Sequence, residues 1–481
     1  MKRIALVVAL IFASIAPAHA GNQNLVVMSR NLYLGADVGV ALEKLPNFSQ
    51  AAQFMWSQVA ATDFPRRAPV LAAEVIAQNA DVVGLQEATK WYCKKNAWSR
   101  GTVVFDFTRE FLDATKRLGH EYVLASRDGI DALNTGYSIP AIPFLTMVSD
   151  PHIFQPLFGQ DKAACGFEIA DALVLKKELA DSIIRVGNSE FKTSYSIIPT
   201  LMTIYRGYTW MDLRFAGSQV RIVSTHLESL WDKNKVPNAL FQTSQLISDL
   251  EKTSAPTIVI GDFNSDPRDP RPVNGANPGE QPVASANCPV QVKFPTKESA
   301  LDSCNAYWKM VKSGYTDVGP DSQDPANYTW GMSALLAGPD LKRLPAALKM
   351  RNMYGFTDRL DYIFTKNGIQ TLSAKIVGNT WPNGSTWQCL NEEQVTNTHR
   401  VAKALNIAEP TSGTCNATDH ASVVANLLIP ADVALGENSP PPAHSPFPIS
   451  FWDWVGIAFL VVIGVLIYRR LRRAKGRVEE E

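Results

Sequence analysis

The chain has 481 residues, enough for one large domain or two to three small ones, and its 46 Lys and Arg balance 46 Asp and Glu. With no net charge there is no global field to recruit nucleic acid or an acidic membrane surface. Function has to be read from local sites.

The first twenty residues, MKRIALVVALIFASIAPAHA, join a basic start at Lys2 and Arg3 to an apolar stretch from Ile4 to Ala13 and small residues at Ala18 and Ala20. This pattern predicts a secretory signal over 1–20, cut before Gly21. Strand-like runs follow: NLVVMSR (24–30), DVVGLQ (81–86), ADALVLK (170–176), YTWMDLRF and QVRIVSTH about the turn AGS (208–226), PTIVIGD (256–262), RLDYIFT (359–365) and SVVANLLI (422–429). Helical spacing appears in APVLAAEVIAQN (68–79), where Leu71, Val75 and Gln78 share a stripe, and in NALFQTSQLISDLEK, with Leu240, Ile247 and Leu250. No repeat and no linker interrupts residues 21–430, so a single α+β domain is expected there. Residues 265–290 are rich in Pro, Gly and Asn and read as an irregular loop. Residues 135–159 are broken by prolines yet strongly apolar, which fits either a loop packed on the core or an exposed rim for a lipid-like partner.

Residues 431–450 are Pro-rich and read as a spacer. FWDWVGIAFLVVIGVLIY (451–468) would span about 27 Å as a helix, enough for a hydrocarbon core. Trp452, Trp454 and Tyr468 stand where interfacial aromatics belong, and RRLRRAK follows. The expectation is a single-pass membrane protein with a short basic cytoplasmic tail over 469–481 and its main domain outside the cytoplasm, in a periplasm or at the cell surface. Six cysteines, all in the exported part and without a CxxC pair, favour structural disulfides over a metal cage. Neighbours are expected to pair, Cys288 with Cys304 and Cys389 with Cys415, leaving Cys93 and Cys165.

Several strand runs end in residues that suit phosphate or metal chemistry: Asn31, Glu87, His226, Asp262 with Asn264, Asp361, and Asp419 with His420. A hard cation such as Mg²⁺, with Mn²⁺ and Ca²⁺ as alternatives, takes one or two carboxylates and keeps its other positions for water and phosphate oxygens. Glu87 suits that task, with Asn31 and Asp419 as further ligands. His420 is the candidate base, and Asp361 the carboxylate that fixes its tautomer. His226 and Asn264 can donate to phosphoryl oxygens, and Asp262 can orient the water or protonate the leaving oxygen. Strand alternation would send Asp262 and Asn264 to one face, with Phe263 turned into packing.

LQE, STHLES, GDFNSDP, RLDYIF and TDH, in this chain order and approximate spacing, resemble the endonuclease/exonuclease/phosphatase superfamily, over about residues 24–428. That superfamily holds secreted deoxyribonucleases, abasic-site endonucleases, inositol polyphosphate phosphatases and bacterial sphingomyelinases. The resemblance implies a four-layer α/β/β/α sandwich of two packed mixed sheets, here with one transmembrane helix appended. It also implies metal-dependent cleavage of phosphate esters, with Glu87 as metal ligand and His226, Asp262, Asn264, Asp361 and His420 in the roles above. GFEIADALVL offers Phe167 and Glu168 where nuclease members place an aromatic residue, so a phosphate-contacting tyrosine is unassigned and Tyr137 is its candidate.

For substrate, the anchor, the neutral charge and the apolar stretch 135–159 favour a phospholipid diester of the sphingomyelinase or phospholipase C kind. Nucleic acid is the alternative, with scattered basic stretches such as CKKNAWSR (93–100), and inositol-phosphate-like monoesters follow.

Overall fold

The computed structural model describes residues 24–430, apart from 199–201, 230–236, 272–283, 285, 287, 353, 382–384, 390 and 409–412. The expected signal, spacer, membrane helix and tail all lie outside the described residues. Among the described residues no helix is long and apolar enough to cross a membrane. The expectation of a single-pass membrane protein with an extracytoplasmic domain is corrected on that finding.

Two mixed sheets form the centre. The larger carries, in spatial order, strands Gln370–Val377, Ser422–Leu428, Asn24–Asn31, Val82–Gln86, Lys162–Lys176, Lys90–Lys94 and Thr102–Asp106. The smaller runs Ile183–Glu190, Gly207–Phe215, Ser218–His226, Thr257–Asp262, Asp361–Lys366 and Thr316–Asp317. Each sheet contains one parallel pair among antiparallel ones: Asn24–Asn31 with Val82–Gln86, and Ser218–His226 with Thr257–Asp262. Parallel neighbours expose the same ends, so their C-terminal residues emerge side by side.

The strands are apolar on both faces because both faces are covered. Leu25, Val27, Leu173 and Leu175 of the larger sheet meet Leu213, Ile222, Ile258 and Ile260 of the smaller one. The sheets come so close that a Cβ on Gly84 would stand 2.7 Å from Ile260 Cγ2. On the far face of the larger sheet, helices Phe48–Thr62, Phe64–Ala77 and Phe107–Arg117 bury Trp56, Leu71, Val75, Phe107 and Phe111. On the far face of the smaller one, Asn238–Leu250 and Ala306–Lys312 bury Leu246, Ile247, Leu250 and Trp308. The result is a four-layer α/β/β/α sandwich. Its predicted helical stripe over 68–79 is buried at Leu71 and Val75, whereas Gln78 caps the helix and is half-buried.

The two unusual stretches are more ordered than their composition suggests. Within 135–159 lie the end of strand Leu133–Ile139, strand Met147–Ser149 and helix Pro151–Phe158, which buries Phe154 in the core. Ile142, Phe144 and Leu145 remain exposed between them. The segment after Asn264 begins as a buried ladder of charges: Arg268 pairs with Asp266, and Arg271 pairs with both Asp269 and Asp358. Most of the expected irregular loop beyond it lies outside the described residues. Cysteines pair as 93 with 165, 288 with 304 and 389 with 415.

Candidate active site

Strand register assembles the site. In the smaller sheet His226 stands beside Asp262, and Asp262 beside Asp361, so three adjacent strands contribute one row of side chains. In the larger sheet Asn31 pairs in register with Gln86, which brings Glu87 alongside it. His420 precedes strand Ser422–Leu428, the antiparallel neighbour of Asn24–Asn31. Thr418 ties the two segments together by donating from Oγ1 to the Asn31 carbonyl at 2.8 Å.

Asn31 then bridges the sheets. Its Nδ2 donates to Glu87 Oε1 at 3.3 Å and to Asp262 Oδ2 at 3.2 Å, while Oδ1 accepts from the Tyr33 backbone. Glu87 Oε2 accepts the Leu34 N–H at 2.6 Å. Glu87 and Asn264 both adopt left-handed backbone, with φ of 53° and 45°. Such conformations disfavour residues with a Cβ and persist where surrounding bonds over-determine them. At Asn264 the bond is explicit, because its N–H is held by Asp262 Oδ1 at 2.9 Å. Alternation along a strand is therefore not what pairs Asp262 with Asn264: the strand ends at Asp262, and a tight turn swings Asn264 back. Phe263 is buried as expected.

The two histidines sit in opposite electrostatic settings. His420 places Nδ1 2.8 Å from Asp361 Oδ2 and Nε2 3.6 Å from Asp262 Oδ2. Burial opposes its charge, but Asp361, Asp419 and Asp262 outweigh that and hold the imidazole well above the usual histidine range. His226 places Nε2 3.4 Å from the same Asp262 oxygen and 3.0 Å from Asn264 Nδ2, yet its Nδ1 faces Arg206 Nη1 at 3.1 Å. Burial, Arg206 and His420 push it well below the usual range. The His226–Asp262 contact is thus not an ion pair: with Nδ1 accepting from Arg206 the proton of the neutral imidazole lies on Nε2, so Nε2 and Asn264 Nδ2 are two donors facing one point. Burial also pushes Asp262 up to about 7, a shift that His420 moderates.

All eight residues singled out by sequence meet here: Asn31, Glu87, His226, Asp262, Asn264, Asp361, Asp419 and His420. Three neighbours carried no such signal. Arg206 also pairs with Glu228, at 3.5 Å. Asp171 is buried and accepts the His226 backbone N–H; burial holds its carboxyl well above the usual range. Its one trace in the sequence is an aspartate inside the apolar run ADALVL. Trp330 donates from Nε1 to Asp419 Oδ2 at 3.3 Å. Tyr137, the candidate tyrosine, is buried near Arg206 and Glu228, and its hydroxyl has no hydrogen-bond partner.

A model described as the Endonuclease/Exonuclease/phosphatase family matches residues 56–420. The chain belongs to the endonuclease/exonuclease/phosphatase family. Members are phosphoester hydrolases and generally use divalent metals. No curated protein matches the chain in sequence. Among solved structures, a family protein from Leptotrichia buccalis shares 12% identity, covers 84% of this chain and 99% of its own, and has a TM-score of 0.42. A Bacteroides thetaiotaomicron mannosyl-6-phosphatase shares 15%, covers 84% and 100%, and scores 0.39. D. rerio TDP2 complexed with a single-strand DNA product shares 13%, covers 84% and 98%, and scores 0.37.

The donors present fit a hard divalent cation. Asp419 Oδ1 and Asp361 Oδ1 are buried without a hydrogen-bond partner, the state expected of oxygens reserved for an ion or its water. Burial, moderated by His420 and reinforced by Glu87, pushes Asp419 up to about 6, so this acid group lacks compensating charge. Asp262, Asp361 and His420 also bring one ligand atom each within 4.8 Å of one another. Carboxylate and amide oxygens are the ligands Mg²⁺ prefers, while an imidazole widens the choice.

Proposed function

We propose that this protein hydrolyses phosphodiesters with a divalent cation held by Glu87, Asn31 and Asp419. When bound, the cation would supply positive charge to the phosphoryl oxygens. The row His226–Asp262–Asp361–His420 carries the reading, because it offers a base, its orienting carboxylate, a proton donor and a neutral hydrogen-bond donor at one point. His420 Nε2 takes the proton of the attacking water, and Asp361 keeps Nδ1 protonated. That role requires the surrounding excess of carboxylates to be balanced, since they hold the imidazole charged. Asn264 Nδ2 and His226 Nε2 donate to the developing charge on the phosphate. Asp262, pushed up to about 7, holds a proton near neutral pH in part of the molecules and gives it to the leaving oxygen.

Two arginines lie close, and both are committed. Arg30 pairs with Glu74 and donates to the His420 carbonyl, and Arg206 serves His226 and Glu228. A singly charged diester asks less of such a site than a dianionic monoester. For the substrate's remainder, an apolar cavity of about 70 Å³, lined by Leu42, Met55, Trp91, Tyr137, Val148 and Phe167, supports an amphiphilic phosphodiester such as a phospholipid. Its wall is tied to the site through Trp91, whose Nε1 bonds the Leu34 carbonyl while the Leu34 N–H bonds Glu87. Exposed Ile142, Phe144 and Leu145 extend that apolar character to the surface.

Nucleic acid is the second reading, favoured by Trp98, which is 94% exposed beside Lys95 and Arg100. The test is hydrolysis of bis(p-nitrophenyl) phosphate, phospholipid micelles, DNA and RNA by wild type and His420→Ala, with Mg²⁺ or EDTA. Activity on a diester, lost in EDTA and in the variant, is expected. Equal rates in all four conditions would sink the proposal, and turnover of nucleic acid alone would replace its substrate.

A further inference from the structure

Arg67, on helix Phe64–Ala77, is fully buried, and each of its hydrogen bonds goes to a backbone carbonyl. Nε donates to Thr62 O at 2.8 Å, Nη1 to Leu32 O at 2.7 Å and Ala417 O at 2.8 Å, and Nη2 to Tyr33 O at 3.1 Å. The guanidinium stands 4.8 Å over the Phe64 ring, which itself stacks on Phe107. Burying a charge this deeply is expensive, and a planar fork matched to four carbonyls is the arrangement that offsets it.

The choice of carbonyls is informative. Leu32 and Tyr33 follow Asn31 and form the turn that aims the Leu34 N–H at Glu87. Ala417 lies two residues before Asp419 and 350 residues from Arg67 in sequence. One guanidinium therefore joins the two chain segments whose side chains are the proposed cation ligands, and it does so through backbone carbonyls alone, leaving Asp419 Oδ1 without a hydrogen-bond partner.

We propose that Arg67 is the positioning residue of the cation site, fixing the spacing between the Asn31–Glu87 pair and Asp419. This rests on the cation reading given above. Removing a group that orients metal ligands typically weakens metal affinity by about 10–100-fold. Arg67→Lys keeps the charge and loses the fork, which separates geometry from electrostatics.

The full chain is titrated with Mn²⁺ and bound ion is read by electron paramagnetic resonance, for wild type, Glu87→Gln and Arg67→Lys, with circular dichroism as the check on folding. A tenfold or greater loss of Mn²⁺ affinity in folded Arg67→Lys is expected, with hydrolysis recovering toward wild type at saturating Mn²⁺. Unchanged affinity in folded Arg67→Lys, beside lost affinity in Glu87→Gln, overturns the proposal and leaves the cation reading intact. Absence of Mn²⁺ binding by wild type overturns both. Should Arg67→Lys not fold, Phe64→Leu loosens the guanidinium's seat; a several-fold loss supports the proposal, and wild-type affinity there overturns it.

Discussion

His226 and His420 present Nε2 to one and the same oxygen, Oδ2 of Asp262, at 3.4 and 3.6 Å. What separates them is the far side of each ring, an arginine behind one and a carboxylate behind the other. A pair alike in sequence is thereby given opposite protonation, and the roles proposed for them follow from that difference.

Their substitutions should differ accordingly. His420→Ala is expected to lower kcat by about 10²–10⁴-fold, the usual worth of general base catalysis. Asp361→Asn, nearly isosteric, should lose a large part of this by releasing the tautomer. Arg206→Gln should raise the His226 ionisation part of the way, since burial, the larger cause, still opposes its charge. Rate–pH profiles of the three variants check this, and an unchanged profile for Arg206→Gln counts against Arg206 as the group that holds His226 neutral.

Stability should fall as pH rises through the weakly acid range. Asp262 is pushed up from 3.8 to about 7, chiefly by burial, so the native chain keeps a proton that the unfolded chain has released between about pH 4 and 7. His420 acts in the same sense, its contribution being complete below 6.5 and lost through its raised value. In EDTA, Asp262→Asn should therefore raise the melting temperature at pH 8 and change it little near pH 4. Thermal scans that show the variant less stable at pH 8 would contradict this account.

Cation binding should appear as stabilisation. Mg²⁺ at about 100 times its Kd is expected to add about 2.7 kcal/mol, read as a rise in Tm. Glu87→Gln should remove most of that rise while leaving the Tm in EDTA near the wild-type value.

The charge ladder behind Asn264 is a structural commitment. Arg271 is bonded to Asp269 and Asp358, and Asp266 next to them accepts the Arg359 backbone N–H two residues before Asp361. Arg271→Met would remove the arginine of buried Asp269 and leave Asp358 to Arg343 and Thr357, and should destabilise by about 3–5 kcal/mol. Urea unfolding measures it; a change below 1 kcal/mol would mean the ladder is already relaxed by solvent.

Cys93 and Cys165 face each other in register across adjacent strands and close a separation of 72 residues. Replacing both by serine should cost about 2–5 kcal/mol, measured as the difference in unfolding free energy.

Much of this was legible because polar residues at the ends of apolar runs are conspicuous. The eight candidate residues stood out at strand ends, and Phe263 is buried as expected, although the strand ends at Asp262 and alternation is not the reason. What sequence could not supply was register and turn geometry. The row His226–Asp262–Asp361 depends on pairing across three strands, and Asn264 reaches the site through a left-handed turn. Arg206 and Asp171 escaped for the opposite reason: one lies in the unremarkable run YRGY, the other inside an apolar strand, and each matters only through His226. The membrane expectation rested on the composition of residues 451–468 and found no support among the described helices.

Four of the eight residues, Asn31, Glu87, Asp419 and His420, lie at the ends of strands of the larger sheet or just beyond them, and His226, Asp262, Asn264 and Asp361 do so in the smaller. The site belongs to neither sheet and exists only while the two are in register at the seam where Gly84 meets Ile260. On the proposed reading, hydrolysis is consequently a gauge of how the halves are docked. A slip of a fraction of a side chain between them would silence the chemistry while every strand, helix and disulfide stayed intact.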